Sequence, residues 1–216
     1  MSDTDSFIEE VSEEVRRERL YGYVRRYGWI AVVLVTLLVG GAAWNEWNKA
    51  QARAQAQAFG DAIIAALEQP DRDARAIALA EVEAPGPAAR AVLSLLTASE
   101  ESAAAPQAAA ERLLSLADDA EVPQVYRQLA ILKAVSLPEA GLDVSTRRDR
   151  LEGLVLSGGM ARLLAEEQLA LIEIETAEPG AALERFQRIV EDAEATEALR
   201  QRARQMIVAL GGEPSA

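Results

Sequence analysis

Residues 162–190 read RLLAEEQLALIEIETAEPGAALERFQRIV, and the fold is decided there. Apolar residues recur at helical spacing on both sides of Glu178-Pro179-Gly180, a trio suited to a tight turn between two helices. Leu169-Ala170 before the turn, and Ala182, Phe186 and Ile189 after it, alternate small and bulky side chains. Small residues let paired helices approach, and a phenylalanine fills the gap between them. The stretch is expected to be a helix pair.

The opening of that pair is echoed upstream. Arg90-Ala91-Val92-Leu93, Arg127-Gln128-Leu129-Ala130 and Arg162-Leu163-Leu164-Ala165 each begin an amphipathic segment shortly after a proline or glycine, with their arginines 37 and 35 residues apart. A period of about 34–37 residues with two helices per unit points to a tetratricopeptide-type α-solenoid. In such an array, stacked pairs close the core and leave a curved groove. Two positions depart from the repeat pattern: Ile189 stands where alanine is preferred, and Glu194 where a closing proline is preferred. A non-repetitive helical bundle is the alternative. Helix breaks are expected at Pro70, Pro85-Gly86-Pro87, Pro106, Val122-Pro123, between Pro138 and Gly141, at Gly158-Gly159 and at Pro179-Gly180. No strand or hairpin pattern is evident.

Upstream of the repeats, Trp29-Ile-Ala-Val-Val-Leu-Val-Thr-Leu-Leu-Val-Gly-Gly-Ala-Ala-Trp44 carries no charge. The 21 residues from Tyr27 to Trp47 would form a helix about 31 Å long, the thickness of a bilayer's hydrocarbon core. Tyr27 and Trp29 mark one rim, Trp44 and Trp47 the other, where interfacial aromatics are favoured. Arg16, Arg17, Arg19, Arg25 and Arg26 precede the segment, whereas only Lys49 and Arg53 follow it closely. Flanking positive charge stays cytoplasmic, so a single span is expected with residues 48–216 exported. Two readings compete: a buried core helix, in which bracketing aromatics and a five-arginine flank are unusual, and a signal peptide cleaved near Gly41-Ala42-Ala43, which requires an atypically long, Glu-rich leader. Thr36 and Gly40 have a spacing that can support helix pairing in the membrane. The expected organisation is a tail (1–28), a transmembrane helix (29–47) and a helical domain (48–216). In the tail, Ser6-Phe7-Ile8-Glu9 fits a capping box, and Phe7, Ile8, Val11 and Val15 share one helical face. Gly22 and Gly28 are expected to interrupt that helix.

Composition narrows the chemistry. The chain has 35 acidic and 22 basic residues, a net charge of −13. That balance offers no basic surface for nucleic acid. Alanine and leucine dominate and only 5% of residues are aromatic, as suits helices packed through small side chains. There is no cysteine and no histidine, so disulfides, thiolate metal sites and a Ser-His-Asp arrangement are excluded. The lysines are Lys49 and Lys133, neither placed for a Ser–Lys pair, and no phosphate-binding glycine loop appears. Glu166-Glu167 and Asp118-Asp119 are adjacent on helices, point to different sides and read as solvated surface. Asp71 and Asp73 suit a helix N-terminus. Tyr126 opens the second unit, either as core packing or as an anchor for a partner peptide. No catalytic, cofactor-binding or metal-binding residue is expected.

Taken together, nearly the full length resembles a known family, the ancillary subunit of the bacterial Sec translocon. The resemblance is carried by Ser6-Phe7-Ile8-Glu9-Glu10-Val11, by Arg25-Arg26-Tyr27-Gly28-Trp29 at the entry to the span, and by Leu199-Arg200-Gln201-Arg202-Ala203-Arg204-Gln205-Met206 followed by Leu210-Gly211-Gly212. It implies an inner-membrane protein with a cytoplasmic N-terminus and a periplasmic tetratricopeptide-repeat-like domain. Its implied partners are the SecYEG channel and a membrane-anchored periplasmic chaperone of the prolyl-isomerase class. The implied role is non-enzymatic: helping pass exported proteins to periplasmic chaperones. A tetratricopeptide scaffold for cell-envelope assembly or division complexes is the other expectation considered.

Overall fold

The computed structural model describes residues 3–213; within that range the side chains of 3–24, 27–28 and 31–32 lie outside the description. Among the described residues there are nine α-helices and no strand: α1 (Asp3–Leu67), α2 (Arg72–Ala80), α3 (Pro87–Glu101), α4 (Pro106–Asp118), α5 (Gln124–Val135), α6 (Val144–Val155), α7 (Gly159–Glu175), α8 (Pro179–Glu191) and α9 (Glu197–Ala209). The all-α class expected from the sequence is therefore observed, in an arrangement consistent with a helical solenoid. The chain divides into two compact units, Met1–Gln57 and Ala58–Ala216, with the boundary inside α1.

Each expected break falls between helices or at a helix start. Pro87, Pro106 and Pro179 occupy the first turn of α3, α4 and α8, where the missing N–H has no intrahelical partner to lose. Side-chain caps start α2, α6 and α9: Asp71 accepts from the Ala74 N–H at 2.8 Å, Asp143 from the Thr146 N–H at 2.7 Å and Thr196 from the Leu199 N–H at 3.3 Å. The turn between α7 and α8 is Thr176-Ala177-Glu178, two residues earlier than the expected Glu178-Pro179-Gly180, and Gly180 lies inside α8. Ala177 adopts a φ of +61°. This lets the Ala177 and Glu178 N–H groups return to the Ile174 and Glu173 carbonyls at 3.1 and 2.7 Å. Gly211, φ +80°, ends α9 the same way, with Gly212 N–H donating to the Ile207 carbonyl at 2.9 Å. A Cβ on Gly212 would lie 2.5 Å from Leu183 Cδ1. The Leu210-Gly211-Gly212 ending thus has a packing reason as well as a conformational one.

Several expectations are corrected. The backbone of α1 stays helical from Asp3 to Leu67, so Gly22 and Gly28 do not interrupt it and Ser6 is not at its start. A glycine in a helix interior costs only about 1 kcal/mol relative to alanine, which a long helix absorbs. The tail face of Phe7, Ile8, Val11 and Val15 lies outside the described side chains. One break went unread: α8 and α9 are separated at residues 192–196, which contain neither proline nor glycine.

Among the described residues no helix is long and apolar enough to cross a membrane. The expected span 29–47 includes Ala31 and Val32, and its rim includes Tyr27; their side chains lie outside the described residues. Trp29, Trp44 and Trp47 are exposed, and the rings of Trp44 and Trp47 sit 5.4 Å apart.

In the second unit the core is divided among four clusters. Ala66, Leu79 and Leu93 join the end of α1 to α2 and α3, with Phe59 and Ile63 packed against them. Ala91, Ala98, Ala109, Leu113 and Leu116 close α3 on α4. Leu151 and Leu154 of α6 pack on Ala165 and Leu169 of α7. Leu163, Ala170, Ala182, Phe186, Ile189, Leu199 and Ile207 close α7, α8 and α9. The alternation read from residues 169–189 is the seam of this last cluster: Ala170 and Ala182 are fully buried beside Phe186. Ile189 is buried there too. Tyr126 is half-buried against the second cluster, which favours packing over presentation to a partner.

Candidate functional site

Arg90, Arg127 and Arg162 are each the fourth residue of their helix, on α3, α5 and α7. The hairpins α3–α4, α5–α6 and α7–α8 therefore share one register. The outer two share far more. Pro106-Gln107-Ala108-Ala109-Ala110-Glu111-Arg112 of α4 and Pro179-Gly180-Ala181-Ala182-Leu183-Glu184-Arg185 of α8 agree at Pro, both aligned alanines, Glu and Arg. Each helix then runs into Asp-Ala-Glu, at 119–121 and 192–194.

Those shared residues do the same work twice. Arg90 reaches Asp119 at 3.3 Å and Glu121 at 3.1 Å. Arg162 reaches Asp192 at 2.9 Å and Glu194 at 3.0 Å. Each aspartate also accepts from the backbone N–H two residues on, Glu121 at 2.9 Å and Glu194 at 2.8 Å, which fixes the turn into the next helix. The second arginine of each unit crosses back within its hairpin: Arg112 donates to Glu101 at 2.7 and 2.9 Å, and Arg185 to Glu173 at 2.6 and 3.0 Å. Arg185 also pairs with Glu166. The Glu194 N–H bond, then Arg162, hold the Asp192 carboxyl below its ordinary range.

The middle hairpin departs from this plan. Where Asp119 and Asp192 follow α4 and α8, Leu156 follows α6, and Ser157-Gly158-Gly159 leads into α7. Arg127 finds no acidic turn and donates instead to the Ala117 carbonyl at 3.2 Å. Arg150 turns to the preceding hairpin and binds Asp118, with one bond at 3.0 Å, and this holds the Asp118 carboxyl below its usual range. A long link (136–143) separates α5 from α6, and a cavity of about 390 Å³ opens among α4, α5 and α6, lined by Arg127, Asp149 and Arg150.

On the other side of α5 lies an apolar groove of about 580 Å³ between α5 and α7. Val125, Leu129 and Leu132 form one wall, Met160, Ala161 and Leu164 the other, and Ser157-Gly158-Gly159 closes one end. Gln124 and Gln128 line both cavities. No charged side chain lines the apolar groove. Val125, Leu129 and Met160 are exposed, and Leu156 at the end of α6 is 89% exposed. Isolated exposed leucines such as Leu156 are ordinary; three exposed large apolar side chains, Val125, Leu129 and Met160, around one concavity are the arrangement that recognises a ligand.

No residue of this groove is singled out by periodicity. The available signal was the turn sequence: Asp-Ala-Glu is spelled after α4 and α8 and missing after α6. The carboxylates read as solvated are also corrected in part. Glu166 and Glu167 are largely covered and bound to Arg185 and Arg202 respectively, the latter at 2.8 Å. Asp119 is partly covered and binds Arg90, whereas Asp118, although it binds Arg150, stays on the exposed surface as expected. Their divergent directions, however, are as expected. Asp71 caps α2, as expected for a helix N-terminus. Among the described residues no three His, Cys, Asp or Glu side chains gather as metal ligands would. No family model, curated protein or solved structure matches the chain.

Proposed function

We propose that the chain is a membrane-anchored interaction scaffold ancillary to the Sec translocon, with a cytoplasmic N-terminus and a periplasmic, tetratricopeptide-repeat-like unit that helps pass exported proteins to chaperones. The observation that carries this reading is the state of α1 between Trp29 and Trp47. Every large apolar side chain described there, from Trp29 and Ile30 through Leu37, Leu38 and Val39 to Trp47, is exposed. A helix bare on all sides calls for an apolar surrounding, and a bilayer supplies one. The five arginines before the span support the orientation. The matched hairpins and the uncharged groove support a binding role for the unit that follows. A tethered unit meets membrane partners at high effective concentration, so weak contacts suffice.

The resemblance in the tail, the span entry and the Leu199–Gly212 ending is what points to the SecYEG channel and a prolyl-isomerase-class chaperone as partners. Affinity purification from detergent-solubilised membranes at native expression, with partners identified by mass, tests the assignment. Channel and chaperone components are the expected result. Cell-wall synthases in their place would move the chain to envelope assembly or division.

A further inference from the structure

Within the first hairpin, between α3 and α4, lies a polar cavity of about 500 Å³ that the scaffold reading does not use. Arg90 and Ser94 of α3, Glu111, Arg112 and Ser115 of α4, and Asp119 just after it line the space. We propose that this cavity binds a carboxylate on the unused Nη1 of Arg112, beside Ser94 and Ser115. The carboxylate comes from an acidic side chain of a partner protein or from a small free acid. This goes beyond the scaffold reading and does not depend on which partners the chain has.

The third hairpin holds such a carboxylate within its own chain. Ser94 lies four residues after Arg90 and seven before Glu101, and Glu166 stands at the same distances from Arg162 and Glu173. Arg185 gives Nε and Nη2 to Glu173 and its Nη1 to Glu166. Arg112 likewise gives Nε and Nη2 to Glu101. Its Nη1, however, donates to no protein group among the described residues. Ser94 brings no carboxylate and lines the cavity instead.

The acidic neighbours do not forbid a further anion. Glu101, Glu111 and Asp119 have counterparts in Glu173, Glu184 and Asp192, and Glu166 is held among those. Asp119 is moreover committed to Arg90 and to the Glu121 N–H. Arg188, at the position of Ser115, is exposed and forms no ion pair among the described residues, so the hold on Glu166 is that of Arg185. The Ser94 and Ser115 hydroxyls make no hydrogen bond among the described residues and can donate to the second oxygen of a bound carboxylate. The Arg112 side chain is 36% exposed, so the contact is partly screened and binding falls in the weak, millimolar range.

The test uses the full chain in lipid nanodiscs, with empty nanodiscs subtracted, and follows the probes by NMR. The probes are butyrate, which mimics a glutamate side chain, its neutral twin butyramide, and acetyl-Gly-Glu-Gly-amide with its glutamine twin. Saturable binding of butyrate, of the glutamate tripeptide or of both is expected, about fivefold or more tighter than the neutral twin. A tighter tripeptide assigns the site to a partner's side chain, and tighter butyrate assigns it to free acids. Ser94→Glu supplies the carboxylate from within, as Glu166 does, and is expected to abolish binding at unchanged helical content. Arg112→Lys keeps a cation for Glu101 but not the planar fork, and is expected to weaken binding about fivefold or more. It carries the test alone should Ser94→Glu fail to fold. Arg204→Lys, on α9, is expected to leave binding unchanged. No saturable carboxylate binding, equal binding of the neutral twins, or undiminished binding by either folded variant at position 94 or 112 would overturn the proposal.

Discussion

Arg162, near the start of α7, binds Asp192, just past the end of α8, at 2.9 Å, and so closes the third hairpin at its open end. Both side chains are mostly covered, and the aspartate simultaneously holds the turn through the Glu194 N–H. The pair therefore joins a hairpin to the helix that follows it.

Removing the arginine is expected to be modest and local. Arg162→Ala should cost about 1 kcal/mol, the upper range for a partly exposed pair. Asp192→Ala should cost more, because the turn bond goes with the ion pair. Hydrogen exchange should show faster opening of α8 and α9 than of α3 and α4. A double-mutant cycle should show coupling between the two residues, and strict additivity would contradict the geometry.

Acid should loosen the same joints. Hydrogen bonds from the Glu194 N–H and Arg162 depress Asp192, Arg150 depresses Asp118, and bonds from Ser145 and Thr146 bring Asp143 down to about 2. A depressed carboxyl contributes stability that is present above its unfolded value, about 3.9, and lost as pH falls through its folded one. The stability of the hairpins should accordingly decline from about pH 4 towards pH 2. Asp192→Asn should make that decline shallower in urea titrations at stepped pH.

Ile189 tests whether repeat consensus or packing governs this chain. Alanine is what the repeat pattern prefers there, yet the isoleucine is buried against Phe186 and Leu199. Ile189→Ala should destabilise the third hairpin by about 2–5 kcal/mol, and Ile189→Val by about 1 kcal/mol. A neutral alanine variant would mean that the cluster refills the space.

Much of this was legible beforehand, for identifiable reasons. Proline and glycine punctuate most helix boundaries, so those breaks were plain, and Arg90, Arg127 and Arg162 gave the register because each occupies the same turn of its helix. The α8–α9 break was not, since Asp192 and Thr196 make it with side-chain oxygens. Gly22 and Gly28 misled because a helix tolerates single glycines. The groove stayed hidden because apolar spacing tells which face of a helix is apolar, not whether a neighbour covers it. Leu129 belongs to an amphipathic segment, and only packing leaves it bare.

The Arg185–Glu173 pair should be asymmetric to mutation. Glu173 is buried, its Oε1 takes both bonds from Arg185, and its Oε2 is buried with no hydrogen-bond partner. Arg185→Ala strands that carboxylate and should cost about 3–5 kcal/mol. Glu173→Gln keeps an acceptor for Arg185, which also retains Glu166, and should cost much less. Denaturant midpoints in the opposite order would contradict the assignment.

The central claim is that α1 anchors an exported helical unit with the N-terminus inside. The chain has no cysteine, so one introduced thiol reports one place. Ser6→Cys and Val208→Cys, tested separately in spheroplasts with a membrane-impermeant thiol reagent, measure it directly. The account predicts labelling at position 208 in intact spheroplasts, and at position 6 only after permeabilisation. Labelling at position 6 from outside, or protection of position 208 until lysis, would contradict it.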